Sequence, residues 1–342
     1  MGKRILFFAD GTWDKPQNTT NVYKLFKASL VTSDQLPFYD DGVGSDGLPL
    51  ERLAGGAMGI GLFQKIRDGY TKIAHAYEQG DDVFIFGFSR GAYTARSLAG
   101  MIAICGLPTK NFDDNLVTKA FDAYRNKLTR QATLAALTPQ YGLFDAPIRM
   151  VGVWDTVGSL GIPSIVGGVD PVLFGFLDTG LHADVKNAYH ALAVDERRAE
   201  FPATLWTSAP APGQNVEQIW FSGVHCDVGG GYPETGLSDI TLSWMMGKAQ
   251  GLGVQLDPNV WKQYQAVDPK CALDKLHESW SLIWGFPHHR PIMSNASLAN
   301  SAAIRCAHDS TYRPSNLALN GAAPAATYSI IPVVAAPTGP MA

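Results

Sequence analysis

Residues 81–100 read DDVFIFGFSRGAYTARSLAG. Val83, Phe84, Ile85 and Phe86 form an unbroken apolar run, the pattern of a strand buried on both faces of a parallel sheet. Past Ser89, the residues Ala92, Ala95, Leu98 and Ala99 recur at helical spacing. The change of period falls on Gly87-Phe88-Ser89-Arg90-Gly91, so a serine stands on a sharp strand-to-helix turn. Such a turn strains the serine backbone and brings other chain close, which is why glycine stands two residues away on each side. N–H groups at the start of the helix then face charge developing on a substrate oxygen. The pentapeptide alone is common. The strand before it and the small-residue helix after it make Ser89 the expected nucleophile, against the alternative of a glycine-rich turn that only packs tightly.

Toward the N-terminus, residues 3–9 read as a strand that runs into Asp10-Gly11-Thr12-Trp13-Asp14. A loop leaving a parallel strand lies at the ligand-binding edge of a sheet. The N–H of Gly11 or Thr12 is therefore expected to join that of Arg90 in an oxyanion hole, an Asp-Gly turn without chemistry being the alternative. Residues 20–30 suggest a short helix with Val22, Leu25 and Phe26 inward, and residues 36–39 a second strand. The acidic, glycine-rich residues 40–47 miss the spacing of a calcium loop and read as a solvated turn. Cap or lid elements are expected within 42–61. Leu62, Ile66, Tyr70, Ile73 and Tyr77 share one helical face, so strand and helix alternate as in an α/β fold with a parallel sheet.

Toward the C-terminus, Val117, Phe121, Tyr124 and Leu128 mark an amphipathic helix started by Asp113 or Asp114. Residues 147–154 form another apolar strand, ending in Asp155, and an acid at a strand end after the nucleophile suits the chain order Ser, Asp, His. Asp155 is thus preferred over Asp170, Asp178 and Asp195, the last of which lies in what reads as a solvated charge cluster at 193–198. Residues 158–182, glycine-rich and apolar, suggest a second cap element or a packed excursion. Residues 183–192 suggest a helix carrying His190 as a structural residue. The last convincing central strand, 216–221, opens into a glycine-rich loop with His225, the best base among eight histidines. Asp227 reads as a loop-fixing residue, and His288, His289 and His308 lack a suitable acid partner. His225-Cys226 has too few ligands for zinc, so neither metal nor cofactor is expected. Residues 238–252 suggest a surface-packed helix with Leu242, Met245 and Met246 inward.

The 342 residues, 46% hydrophobic, are expected to form a single domain over 1–320 with an Ala/Pro-rich arm at 321–342. A formal charge of −4 without a basic block gives nucleic acid no electrostatic footprint. No run of about 18 apolar residues spans a membrane, and the first apolar run is too short for a Sec signal. The four cysteines are scattered, without metal or disulfide spacing. Cytoplasmic synthesis is the expectation, with export by a signal-independent route compatible with it.

Four segments carry a family resemblance: FADGTWD (8–14), GFSRGAYTAR (87–96), VWDTVG (153–158) and GVHCDVGGGY (223–232). Together they resemble α/β hydrolases of the uncharacterised-domain family 2235, which includes the bacterial type VI secretion phospholipase effectors, over most of residues 4–245. The resemblance implies an α/β-hydrolase-like fold, with a mainly parallel central sheet, helices on both faces and a loop-rich cap. It implies Ser89 as nucleophile, Asp155 as acid and His225 as base, acting on an ester or phospholipid. By the same resemblance, a membrane surface and an immunity or secretion-carrier protein are expected partners. Cys226 stands where the related motif usually has serine, and the known effectors carry a membrane-associating region for which this chain has little room. The competing readings are a hydrolase of a small soluble ester, thioester or peptide, and a non-catalytic binding module on the same fold.

Overall fold

The computed structural model describes residues 2–11, 19–41, 57–157, 180–337 and 341. Strand β1 (Arg4–Ala9) leads through helix α1 (Asn21–Ala28) to β2 (Gln35–Asp40), and α2 (Ala57–Ala76) carries the chain to β3 (Asp82–Phe88). The elbow follows, then α3 (Arg90–Cys105), α4 (Asp114–Arg125) and α5 (Arg130–Tyr141). Next come β4 (Ile148–Trp154), β5 (Asn187–Ala193) and β6 (Asn215–Phe221), then the short α6 (His225–Gly229), α7 (Gly236–Gly251) and α8 (Pro258–Tyr264). The C-terminal part adds β7 (Ser297–Ala299), α9 (Asn300–His308), a small hairpin of β8 (Leu319–Asn320) and β9 (Ala323–Pro324), and β10 (Ser329–Ile331).

Among the described residues, eight strands form one sheet in the order β10-β7-β6-β5-β4-β3-β1-β2, and neighbouring strands run parallel. Alternation along each strand divides the core. Ile5, Phe7, Val83 and Ile85 pack with α2, α3 and α4, whereas Leu6, Phe8, Phe84 and Phe86 pack with α1 and α7. All eight of these strand residues are fully buried, each worth about 1.5–3 kcal/mol in apolar transfer. Helices on both faces of a parallel sheet make this an α/β-hydrolase-like architecture.

The strand order places the site. From β1 the chain moves to one neighbour, β2, then crosses over to the other, β3, and continues in that direction. The carboxyl ends of β1 and β3 therefore flank a switch point, where a crevice opens in sheets of this kind. Asp10 and Gly11 leave β1 there, and Ser89 leaves β3.

Several expectations need correction. Residues 187–193 are strand β5, not part of a helix. Six of its seven residues are buried, on both faces, so the strand shows no polar alternation, and its Ala and Leu content imitated a helix. Helix α7 is not merely surface-packed, because Leu237, Ile240, Trp244, Met245 and Met246 are all buried. Leu128 lies beyond the end of α4 and is exposed, while Asp113 caps that helix by accepting from Leu116 N–H at 2.8 Å. Two short strands, β7 and β10, extend the sheet past β6, and β10 comes from the Ala/Pro-rich arm. Of the expected cap segments, residues 57–61 begin α2 and residues 180–182 precede β5; their remainder lies outside the described residues.

Candidate active site

Ser89 has φ 58° and ψ −123°, a conformation that costs a non-glycine residue about 1–3 kcal/mol. Crowding enforces it. A Cβ on Gly87 would lie 2.4 Å from Gly91 O, and one on Gly91 would lie 2.2 Å from Ala9 O and 2.4 Å from Asp10 O. The elbow is thereby wedged against the end of β1. Ser89 N–H donates to Trp154 O at 3.1 Å, which ties the elbow to the end of β4.

Asp155 follows β4 directly, with φ 38°, and is fully buried. His225 opens α6 just past β6. The three residues thus leave the carboxyl ends of three strands and meet. His225 Nε2 lies 2.8 Å from Ser89 Oγ, and His225 Nδ1 lies 2.6 Å from Asp155 Oδ2. With the Nδ1 proton assigned toward the carboxylate, Nε2 is left to accept from the serine hydroxyl. The imidazole packs between the rings of Phe88 and Phe201, at centroid distances of 4.6 and 5.1 Å. Burial holds its pKa below the ordinary histidine value, and the Asp155 carboxylate only partly offsets this.

Asp155 has a second partner that no sequence pattern marked. Arg290 donates from Nη1 to Oδ1 at 2.6 Å and from Nη2 to Oδ2 at 2.9 Å, and Ala193 N–H donates to Oδ1 at 2.9 Å. The guanidinium is itself buried and also reaches Phe201 O and Ala193 O. Burial would raise the pKa of Asp155, but the charge of Arg290 and the hydrogen bond from His225 overrule it and hold the carboxyl well below the usual range. Arg290 lies in a Trp/Pro-rich stretch without periodicity, and nothing local pairs it with an acid 135 residues away.

The expected solvated cluster at 193–198 is instead folded beneath the histidine. Glu196 is buried and accepts from Arg198 N, Nε and Nη2, each at 2.9 Å, from Ser279 Oγ at 2.9 Å and from His225 N–H at 3.2 Å. Burial would raise its pKa, but Arg198 pulls it down to about 2. Asp195 is half-buried, accepting from Gly223 N–H and Tyr312 O–H, and desolvation pushes its pKa up to about 6. The cluster misled because Glu196 and Arg198 neutralise each other within it, while its further hydrogen bonds come from Ser279, Gly223 and Tyr312, out of local view.

Asp227 fixes the loop, as expected. It accepts from Val224 N–H at 3.1 Å and, at 2.6 Å, pairs with Nδ1 of His277, a histidine that sequence reasoning passed over. His277 also reaches Glu234 at 3.1 Å and stacks on Tyr232. His190 is structural: its Nε2 accepts from Thr156 N–H at 3.1 Å, and burial depresses its pKa to about 3. His288, His289 and His308 are exposed. At the end of β1, buried Asp10 accepts from Thr20 Oγ1, Tyr39 O–H and Gly11 N–H at 2.6, 2.7 and 2.9 Å. The Gly11 N–H is thus engaged by the neighbouring carboxylate. Thr12, Asp170 and Asp178 lie outside the described residues.

Residues 3–248 match a family model described as the catalytic domain of Tle1-like type VI secretion phospholipase effectors. An uncharacterised protein of Saccharomyces cerevisiae is 30% identical over 236 residues, which cover 61% of this chain and 33% of the yeast protein. Among solved structures, an uncharacterised protein from Pseudomonas aeruginosa aligns with a TM-score of 0.48 and 17% identity, over 80% of this chain and 50% of that one. The Tle1 effector, solved bound to the VgrG spike of the type VI secretion system, aligns with a TM-score of 0.40 and 18% identity, over 68% of this chain and 52% of that one. The chain therefore spans a third of the yeast relative and about half of each solved chain.

Proposed function

The chain belongs to the family of Tle1-like type VI secretion phospholipase-effector catalytic domains, and on that premise we propose that it is a serine acyl hydrolase working through Ser89, His225 and Asp155. The observation that carries this reading is the chain of short contacts from Ser89 Oγ to His225 Nε2 and from His225 Nδ1 to Asp155 Oδ2, at 2.8 and 2.6 Å. Family membership alone gives a lipase- or phospholipase-type hydrolase; the residue roles are the proposal.

In the proposed reaction His225 Nε2 takes the hydroxyl proton as Ser89 Oγ attacks the ester carbonyl carbon. Asp155 holds the imidazole in the required tautomer and stabilises the imidazolium. The oxyanion is received by the N–H of Arg90, at the start of α3, together with that of Gly11 or Thr12. Gly11 would have to share or release its bond to Asp10 for this. His225 then returns the proton to the departing alcohol, leaving an acyl-enzyme. A water, deprotonated by His225, attacks the acyl carbon and releases the carboxylic acid and Ser89. The depressed pKa of His225 supports this role, because the imidazole is then neutral and able to accept a proton near pH 7.

The proposed substrate is a carboxylic ester, with the acyl esters of phospholipids favoured by the family. Export by a signal-independent route and a secretion-carrier partner are proposed on the same membership. Among the described residues no helix is long and apolar enough to cross a membrane. Fatty-acid release from soluble esters of increasing chain length and from phospholipid vesicles, by wild type and Ser89→Ala, tests the reading. Activity that rises with acyl length and at the lipid surface, and disappears in Ser89→Ala, supports it. Activity confined to short soluble esters favours the soluble-ester alternative, and no release from any ester sinks the hydrolase reading.

A further inference from the structure

We propose that the turn at residues 280–286 is a wedge that docks the protein on a lipid surface beside its catalytic histidine. The segment reads Trp-Ser-Leu-Ile-Trp-Gly-Phe, and Leu282, Ile283 and Phe286 are 85%, 77% and 92% exposed. Exposed apolar side chains grouped in this way mark a contact site. The turn is ordered by its own bonds: Leu282–Trp284 form one tight helical turn, Gly285 ends it at φ 71°, and Trp280 Nε1 donates to Gly285 O at 3.2 Å.

Anchors on both sides tie the wedge to the site. Before it, His277 pairs with Asp227 and Ser279 donates to Glu196; after it, Arg290 grips Asp155. The Trp284 ring stands edge-on to Phe201 at 5.8 Å, and Phe201 stands edge-on to His225 at 5.1 Å. Two ring contacts thus separate the wedge from the proposed general base, and a surface that received the wedge would lie next to the reacting centre.

The shape and size of the turn select the occupant. Three side chains on a seven-residue protrusion offer far less than the ~800 Å² per partner of a stable protein interface. Aliphatic and aromatic tips with tryptophans at their base suit the boundary between acyl chains and headgroups instead. Arg197 and Arg198, which lie over Trp280 and over Trp284, are neutralised by Glu278 and Glu196. Binding is therefore driven by apolar insertion and depends little on salt.

The proposal rests on the lipid-hydrolase reading, and one experiment separates the two. Ser89→Ala protein is sedimented with vesicles of phosphatidylethanolamine and phosphatidylglycerol, with and without Leu282→Ser/Ile283→Ser/Phe286→Ser. The parent co-sediments, and the triple variant loses about tenfold or more of its bound fraction. With Ser89 intact, the triple variant cleaves a short soluble ester at the parental rate and vesicles about tenfold more slowly. Where the triple variant also loses soluble-ester activity, Phe286→Ser alone serves as the folded comparison. Equal co-sedimentation of parent and variant, or none by the parent, overturns the docking surface whatever the esterase result. Wedge-dependent sedimentation by a protein that cleaves no ester upholds docking and overturns the hydrolase reading. A dimer that dissociates in the triple variant identifies a second copy as the occupant and overturns the lipid assignment.

Discussion

Arg290 holds both carboxylate oxygens of Asp155, at 2.6 and 2.9 Å, from a segment beyond the residues that match the family model. It does not touch the reacting atoms and is a positioning residue that acts through Asp155. Removing its charge leaves the full negative charge of Asp155 facing His225, which raises the histidine pKa. The acid limb of kcat/KM, expected below the ordinary histidine value of about 6.5 in wild type, then moves to higher pH in Arg290→Met. Arg290→Lys keeps the charge without the fork and restores most of the wild-type limb. Loss of activity with an unmoved limb would reduce Arg290 to a structural support. Breaking so buried a pair should also cost about 3–5 kcal/mol of stability in Arg290→Met, measured by denaturant unfolding.

Asp155→Asn keeps the shape of the site but lets the amide stabilise the wrong histidine tautomer. The expected result is a kcat lower by about 10⁴-fold. A fall of less than about tenfold would remove Asp155 from the proposed machinery.

Acid stability should report Glu196. Its folded pKa of about 2 lies below the ordinary 4.5, so the unfolded chain binds the extra proton as pH falls. The stabilisation, on the order of 3 kcal/mol, is present above about pH 5 and is lost progressively toward pH 2. Unfolding free energies of wild type measured against pH should fall steeply in that window. Glu196→Gln should be less stable at neutral pH and show a shallower fall.

Much of this was legible from period and chain order. The apolar run of β3 and the small residues of α3 located Ser89, and the ends of β4 and β6 pointed to Asp155 and His225. What was not legible depends on long-range pairing. β5 imitated a helix because burial on both faces removes alternation. Glu196 imitated a surface charge because Ser279, one of its donors, is 83 residues away and its burial leaves no local trace. Arg290 and His277 left no signal, since a lone basic side chain in a loop acquires meaning only from the acid it meets.

Gly91 tests the crowding of the elbow. A methyl group there would sit 2.2 Å from Ala9 O, against backbone that cannot give way as a side chain can. Gly91→Ala should destabilise the fold by about 1–3 kcal/mol and cut activity more than stability alone explains. A variant of parental stability and activity would contradict the close approach of the elbow to β1.

The central claim is that Ser89 is the nucleophile, activated by His225. Labelling with a fluorophosphonate probe, read by intact mass, tests it most directly. The account predicts one covalent adduct on wild type, located on the peptide containing Ser89, none on Ser89→Ala, and labelling slowed by orders of magnitude in a folded His225→Ala variant. Labelling that persists undiminished in Ser89→Ala would contradict it.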